Sequence, residues 1–135
     1  MRRQRDLEPL PNLGDLEADI MNVLWDLGSG TVQDVLEALT PRRALAYTTV
    51  MTVMTRLTQK GYLSRRREGR SFVYTPATSR EQVAESALGA VVQRLYQGAT
   101  GKAIAHLLEL EAGVDDEELA RLEALIRAKR KGTKP

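Results

Sequence analysis

Three apolar patterns of helical period, followed directly by a hairpin pattern, occupy residues 15 to 75 and leave few folds open. The third pattern repeats at spacings of three and four residues, which predicts a helix from about Tyr47 to Lys60. Its apolar members are Val50, Val53, Met54 and Leu57. Residues 62 to 67 and 72 to 75 then flank the turn Glu68-Gly69-Arg70-Ser71, which predicts a basic β-hairpin.

Two shorter helices with recognisable ends precede the third. Asp15 is predicted to cap a first helix that ends at Gly28, since glycine favours the position after a helix. Thr31 with Asp34 three residues later predicts a capped second helix, which Pro41 stops. Three helices closed by a hairpin are the order of a winged helix-turn-helix, so the third helix is predicted to be the recognition helix.

The charge is unevenly distributed along the chain. Residues 1 to 40 carry three basic and eight acidic side chains (net −5), residues 41 to 76 carry eight and one (net +7), and residues 77 to 135 carry nine of each (net 0). A local cationic block in a balanced chain is typical of binding to a polyanion, most often nucleic acid. Charge alone is also compatible with an ordinary solvated surface, so it is the order of elements, a winged helix-turn-helix, that makes operator double-stranded DNA the predicted partner.

The composition argues against an enzyme, a metal site and membrane association. The chain has no cysteine and one histidine, His106, and no phosphate loop or paired acid and base is evident. No run reaches the roughly 18 apolar residues of a membrane span. We therefore expect a soluble cytoplasmic protein that uses no cofactor and is not stably associated with membranes.

Beyond Pro76, Ser79 with Gln82 and Asp115 with Glu118 predict two further capped helix starts. The apolar stripes of this region are narrow, with one Tyr and no Phe or Trp. A core of this size seldom stabilises a fold by more than about 3 to 5 kcal/mol, so two copies are expected to interlock. The alternative is that these helices pack on the first domain of the same chain. The predicted dimerisation residues are Leu88, Val91, Val92, Leu95, Ile104, Leu107, Leu108, Leu119, Leu122, Leu125 and Ile126. The fold is thus predicted as mainly α, with a flexible arm (1–13), a winged helix (14–76) and a helical dimerisation domain (77–135).

With the apolar stripe of the third helix turned inward, its remaining side chains and the arginines around it are candidates for contact with DNA. Thr48, Thr49 and Thr52 rank first, because recognition helices present their N-terminal turns to bases. Arg56 and the wing arginines can hold phosphates, although a strand directs alternate residues to opposite faces. The predicted DNA-binding set is Arg42, Arg43, Tyr47, Thr48, Thr49, Met51, Thr52, Arg56, Arg65, Arg67 and Arg70.

Several of these residues resemble the marks of the penicillinase-repressor family of bacterial transcription regulators (the BlaI/MecI/CopY type). They are Trp25 late in the first helix, Thr52-x-x-Thr55-Arg56-Leu57 in the third, and Lys60-Gly61-Tyr62-Leu63 at the entry to the wing. The chain departs from the pattern at Ala46-Tyr47-Thr48, where relatives often carry Ser-Pro-Lys, and at Met51, where a basic residue is common.

The resemblance implies a homodimeric repressor that binds palindromic operators. The copper-responsive branch carries a cysteine motif that this chain lacks, so a β-lactam-responsive regulon is the better match. The resemblance also implies a membrane sensor and protease pathway that cleaves the dimerisation region, often at an Asn-Phe bond. Residues 77 to 135 contain neither Asn nor Phe, so the corresponding segment is predicted at Ala105, His106 and Leu107.

Two other functions fit parts of the sequence. The tail could bind a different protein, with the basic hairpin as ordinary surface, which would make the chain a protein-interaction module. Alternatively, a winged-helix regulator of another regulon could respond to a small molecule. Salt-dependent binding to an operator separates the first alternative from a repressor.

Overall fold

Within residues 14–110 and 113–132, which the computed structural model describes, six helices and one hairpin follow one another. Their bounds are α1 (Asp15–Leu27), α2 (Val32–Leu39), α3 (Tyr47–Gln59), β1 (Leu63–Glu68), β2 (Ser71–Pro76), α4 (Arg80–Leu95), α5 (Thr100–Leu110) and α6 (Asp116–Arg130). The chain divides into two compact units, residues 1–91 and 92–135. The predicted arm, residues 1 to 13, lies outside the described residues.

Local signals set the ends of the first two helices. The N-cap of α1 is Gly14, whose N–H donates to the Glu17 carboxylate, so the predicted cap at Asp15 was wrong by one residue. Gly28 ends α1 with φ of 89° and donates its N–H to the Leu24 carbonyl at 2.8 Å. At α2, Thr31 Oγ1 accepts from Asp34 N–H at 3.1 Å and the Asp34 carboxylate accepts from Thr31 N–H at 2.9 Å. This reciprocal pair is the predicted capping box.

The apolar stripe of α3 forms the centre of the first unit. All four of its predicted members are buried, as are the stripes of α1 and α2 that face it. The buried cluster comprises Ile20, Met21, Leu24, Val32, Val35, Leu39, Val50, Val53, Met54, Leu57, Tyr62, Leu63, Tyr74 and Val83. Full burial of such a side chain stabilises the fold by about 1.5 to 3 kcal/mol. That gain exceeds the few tenths of a kcal/mol per residue by which threonine and valine disfavour a helix.

The end of α3 explains why the hairpin starts later than predicted. Gly61 has φ of 93°, and the N–H of Tyr62 donates to the Leu57 carbonyl at 3.0 Å. This is the bonding of a Schellman motif, in which the second residue past the helix still satisfies a helical carbonyl. Tyr62 therefore belongs to the helix end, and β1 begins at Leu63.

The two strands pair in an antiparallel hairpin with a two-residue turn at Gly69-Arg70. Gly69 has φ of 61°, which such tight turns require and glycine supplies without strain. Tyr74 on β2 also exchanges two backbone hydrogen bonds with Gly30, at 3.0 and 2.8 Å. The segment between α1 and α2 thereby adds a short third strand position and holds the wing against the helices.

The start of α4 is part of the first unit. Ser79 and Gln82 form the predicted capping box, with hydrogen bonds of 3.0 and 3.1 Å. Val83 lies in the core cluster of the winged helix, and the division between the units falls after Val91. The sequence placed the boundary after Pro76, where β2 ends. The assignment of residues 77–135 to dimerisation stays a prediction.

In the second unit α5 and α6 bury little within the described chain. Asp115 caps α6 reciprocally with Glu118, at 2.8 and 3.2 Å, as the sequence predicts. Ala103 is the buried residue of α5, and α6 has none. Exposed large apolar side chains here are Leu95, Ile104, Leu107, Leu108, Leu110, Leu119, Leu122, Leu125 and Ile126. No helix among the described residues is long and apolar enough to cross a membrane.

Candidate nucleic-acid interface

The outward face of α3 carries hydroxyl, thioether and guanidinium groups. Thr48, Thr49, Met51, Thr52 and Arg56 are exposed, while Thr55 is half-buried. This is the face opposite the buried stripe, as the helical period requires. Threonine can donate to a base edge or pack its methyl group against the methyl of thymine. The face thus offers small donors and apolar groups near its start and a cation near its end.

The hairpin register sorts the wing arginines onto two faces. Arg65 pairs with Tyr74 and Arg67 with Phe72, so all four side chains share one face. The Arg65 Cζ lies 4.2 Å from the Phe72 ring centroid and the Arg67 Cζ lies 5.0 Å from it. Both distances suit cation–π contact, which holds the guanidinium groups in place. Arg65 Nη1 also donates to the Tyr74 hydroxyl at 3.3 Å and Arg67 Nη1 to the Gly69 carbonyl at 3.5 Å, so the other N–H groups of each guanidinium are the ones available to an anion.

Arg66 lies on the other face of the hairpin. It stands opposite Val73 in the register, and its guanidinium contacts the Glu68 carboxylate at 2.7 Å. Its charge is therefore partly compensated by an adjacent carboxylate. The same hairpin accordingly offers two arginines on the aromatic face and one paired arginine on the other.

A cleft of about 280 Å³ lies between the wing and the start of the recognition helix. It brings together three predicted DNA-binding residues, Tyr47, Met51 and Arg70. Its lining is completed by Thr31, Val32, Gln33, Ser71, Phe72 and Tyr74. Gln33 and Phe72 were missed by the sequence reasoning. The hairpin register would have pointed to Phe72, whereas no local signal marks Gln33, because it reaches the cleft from another helix.

Arg42 and Arg43, predicted to clamp the DNA backbone ahead of α3, both contact Asp19 of α1. The distances are 3.2 Å from Arg42 and 2.6 Å from Arg43. The Arg43 side chain is half-buried in this pair, whereas that of Arg42 is 65% exposed. The arginines therefore tie the turn before α3 to α1, and their contact with DNA stays a prediction.

Tyr47 lies at the first position of α3 and is exposed. The N-cap of α3 is Ala46, the residue before it, and contact of Tyr47 with DNA stays a prediction. Trp25 lies against the core, and its Nε1–H donates to the Thr78 carbonyl at 2.9 Å.

The residues of the predicted cleavage segment, Ala105, His106 and Leu107, lie in α5 and are exposed. His106 is exposed within the described chain. Its Nδ1 lies 2.7 Å from the Tyr96 hydroxyl, and the rings meet edge to face. Of the predicted dimerisation residues, Val91 and Val92 are half-buried and the others are exposed within the described chain.

Three helices, a hairpin that follows them, and an exposed recognition face define a winged helix-turn-helix protein of the DNA-binding class. Consistent with this class, the family model described as "Penicillinase repressor" matches residues 13–128. The chain belongs to the penicillinase repressor family. It is therefore a transcriptional regulator and not an enzyme.

Two relatives by sequence support the same assignment, and one solved structure is also similar to part of the chain. "Transcriptional regulator BlaI" of Mycobacterium tuberculosis (strain H37Rv) is 40% identical over 122 residues, which cover 85% of this chain and 88% of the relative. The "Penicillinase repressor" of Bacillus licheniformis is 29% identical over 103 residues, covering 76% and 80%. A solution structure of the DNA-binding domain of the repressor BlaI is 32% identical, covers 56% of this chain and 93% of that chain, and has a TM-score of 0.49.

We predict that the aromatic face of the wing contacts phosphates and the opposite face does not. Each phosphate contact contributes about 0.9 to the slope of log K against log salt concentration. Arg65→Ala or Arg67→Ala should therefore reduce the slope by about one unit per protomer. Arg66→Ala removes the same charge from the other face and serves as the matched control, with a smaller change expected. Equal slopes for all three variants and the wild type would show that the wing does not contact DNA.

We also predict that Thr48, Thr49 and Thr52 read bases. Substitution of each by Ala should relax base preference at particular operator positions, with a good contact worth about 1 to 3 kcal/mol. Thr→Ser variants keep the hydroxyl group and remove the methyl group, and duplexes with uracil in place of thymine remove the methyl group from the DNA. Affinities of both sets separate hydrogen bonding from methyl contact. A uniform loss across all operator variants would instead assign the threonines to phosphate contacts.

Proposed function

We propose that the protein is a homodimeric transcriptional repressor that binds palindromic operator DNA in the cytoplasm. The observation that carries the proposal is the joint placement of an exposed threonine-rich face on α3 and two aromatic-held arginines on the wing. A helix in the major groove with basic groups beside it is how this class combines base reading with phosphate binding. Membership of a family of repressors supports the same function.

Dimerisation through the second unit is supported by its exposed apolar side chains. Two helices of that unit, α5 and α6, leave Ile104, Leu107, Leu122 and Ile126 among the residues open to solvent. Exposed apolar groups at helical spacing are typical of surfaces that another chain covers. Because a two-fold dimer covers the same stripe on both copies, it buries all of these residues at once.

A β-lactam-responsive regulon is the proposed target. The support comes from relatives, above all the penicillinase repressor of B. licheniformis, together with the absence of any cysteine from the sequence. Release would follow from loss of dimerisation, with a membrane sensor and protease as the upstream partners.

One observation favours the ligand-responsive alternative. A cleft of about 560 Å³ in the second unit is lined by Leu95, Tyr96, Gln97, Lys102, Ala105, His106 and Glu109. Its volume is in the range of small-molecule sites, and its polar groups converge around the Tyr96–His106 contact. A small inducer bound there would release the repressor without cleavage.

Selection of bound sequences from random duplex DNA tests the proposed function. We expect a motif with two-fold symmetry, because each protomer of a dimer presents the same α3 face to its own half-site. A single asymmetric motif would contradict the homodimer. Absence of any enriched motif, with binding that does not depend on salt, would favour the protein-interaction module.

Cutting α5 near Ala105 should abolish tight operator binding. The cut would separate α6 and part of α5 from the winged helix, and a dimer that reads two half-sites gains roughly 10² to 10⁴ in avidity. A specific protease site inserted at Ala105 allows operator affinity to be measured before and after cleavage at fixed salt. The same site inserted in the loop after α5, at Gly113, is a comparison that also detaches α6 but leaves α5 whole. Undiminished binding after the cut at Ala105 would contradict release by loss of dimerisation.

A further inference from the structure

The junction between the hairpin and α4 makes contacts with α1 that neither the recognition face nor the wing uses. Trp25 Nε1–H donates to the Thr78 carbonyl at 2.9 Å. The Arg80 guanidinium donates from Nε to Asn22 Oδ1 at 3.2 Å and from Nη2 to Asp26 Oδ1 at 3.1 Å. These five residues, all in the first unit, are here named the α1–α4 latch.

The latch supplies a second point of attachment for α4. Val83 is the buried residue of α4, and the structure describes every residue of that helix. One buried side chain fixes where a helix touches the core, but the helix can still pivot about it. Arg80 lies one helical turn before Val83 and binds α1. Two separate attachments fix the direction of α4 relative to α1, whereas a single attachment leaves that direction free.

The geometry of Arg80 suits this role better than a simple charge would. Its planar guanidinium reaches two side chains on successive turns of α1, and its Cζ lies 5.3 Å from the centroid of the Trp25 ring. A planar fork bound along its edge and stacked on a ring restricts both position and tilt. The Arg80 and Asp26 side chains are 49% and 74% exposed, so their pairing contributes little to folding stability. The direction of α4 is therefore held by this pair together with the Asn22 and Trp25 contacts, and not by the ion pair alone.

The direction of α4 matters because the helix continues to Leu95, among the residues proposed to dimerise. DNA turns once in about 10 to 10.5 base pairs, so one extra base pair between half-sites rotates one of them by about 35°. Protomers with fixed α4 directions cannot follow that rotation, whereas protomers that pivot can.

We propose that the α1–α4 latch determines which half-site spacing the repressor accepts, with Arg80 and Trp25 as positioning residues. The inference rests on the proposed homodimeric function. It assigns the latch no contact with bases. The latch sets the placement of the two recognition helices relative to each other. It leaves the affinity of each helix for its own half-site unchanged.

The test compares the full-length wild type with Arg80→Ala, Arg80→Lys and Trp25→Phe. Arg94→Ala is the matched control, since it removes the same charge from an exposed position on the same helix. The probes are duplexes with two copies of the selected half-site at the selected spacing and at spacings one base pair shorter, one longer and two longer. A further duplex carries one half-site. Affinities are measured by fluorescence anisotropy at fixed salt.

We expect the wild type and Arg94→Ala to lose affinity steeply when the spacing changes. Arg80→Ala should bind the duplex of selected spacing roughly tenfold more weakly than the wild type does, because it loses part of the avidity of a two-site complex. It should bind the duplexes of neighbouring spacing almost as tightly as it binds the selected one. Its affinity for the single half-site should stay within about twofold of the wild type. Arg80→Lys keeps the charge without the planar fork and should not restore the profile, and Trp25→Phe should flatten it in part.

Two results would contradict the proposed role of the latch. One is a spacing profile that does not change in Arg80→Ala, or is already flat in the wild type. The other is an equal loss on the single half-site, which would mean that Arg80 supports or contacts one recognition helix. Sedimentation of the wild type with its operator separates this failure from failure of the proposed function. A monomer on each half-site contradicts the homodimer and the latch together, whereas a dimer with unchanged variant profiles contradicts the latch alone.

Discussion

Burial of one face of α3 is the constraint on which the other features of the first unit depend. Val50, Met54 and Leu57 are fully buried, and rotating the helix would expose side chains that each stabilise the fold by about 1.5 to 3 kcal/mol. The outward direction of Thr48, Thr49 and Thr52 follows from this, because those positions are what remains once the stripe is covered. A segment of weak helix formers is thereby both folded and oriented by the same contacts.

The hairpin is constrained in a comparable way by Tyr74. Its side chain is 2% exposed and its backbone is bonded twice to Gly30, so the strand cannot slip by one residue without bringing this ring to the surface. A slip of one residue would exchange the two faces of the strand. Arg66 would then take the place that Arg65 and Arg67 now hold beside Phe72. Burial of Tyr74 therefore determines which arginine side chains lie on the aromatic face of the wing.

The features that could be predicted from the sequence are those set by residues close together in the chain. The caps at Thr31, Ser79 and Asp115 each involve a partner three residues later, and all three are confirmed. Contacts between distant residues left no such signal. Asp19 reaches the arginines before α3 across more than twenty residues, and Trp25 reaches Thr78 across 53. Hence the recognition helix could be predicted, whereas the ion pairs that occupy Arg42 and Arg43 could not.

The second unit illustrates the limit of the same reasoning. A helical period shows which face of a helix is apolar, but not what covers that face. His106 lies in an apolar stretch of the sequence but is exposed within the described chain, where its Nδ1 contacts the Tyr96 hydroxyl. Acidic residues in the first turn of α6 and basic residues in its last complement the helix dipole, but each such charge is worth only about 0.3 to 1 kcal/mol. Isolated helices shorter than about 12 to 15 residues are marginal in water even when well capped. Since α5 has 11 residues and α6 buries none of its 15, packing within the described chain stabilises these helices little, which supports the proposal that a second copy covers them.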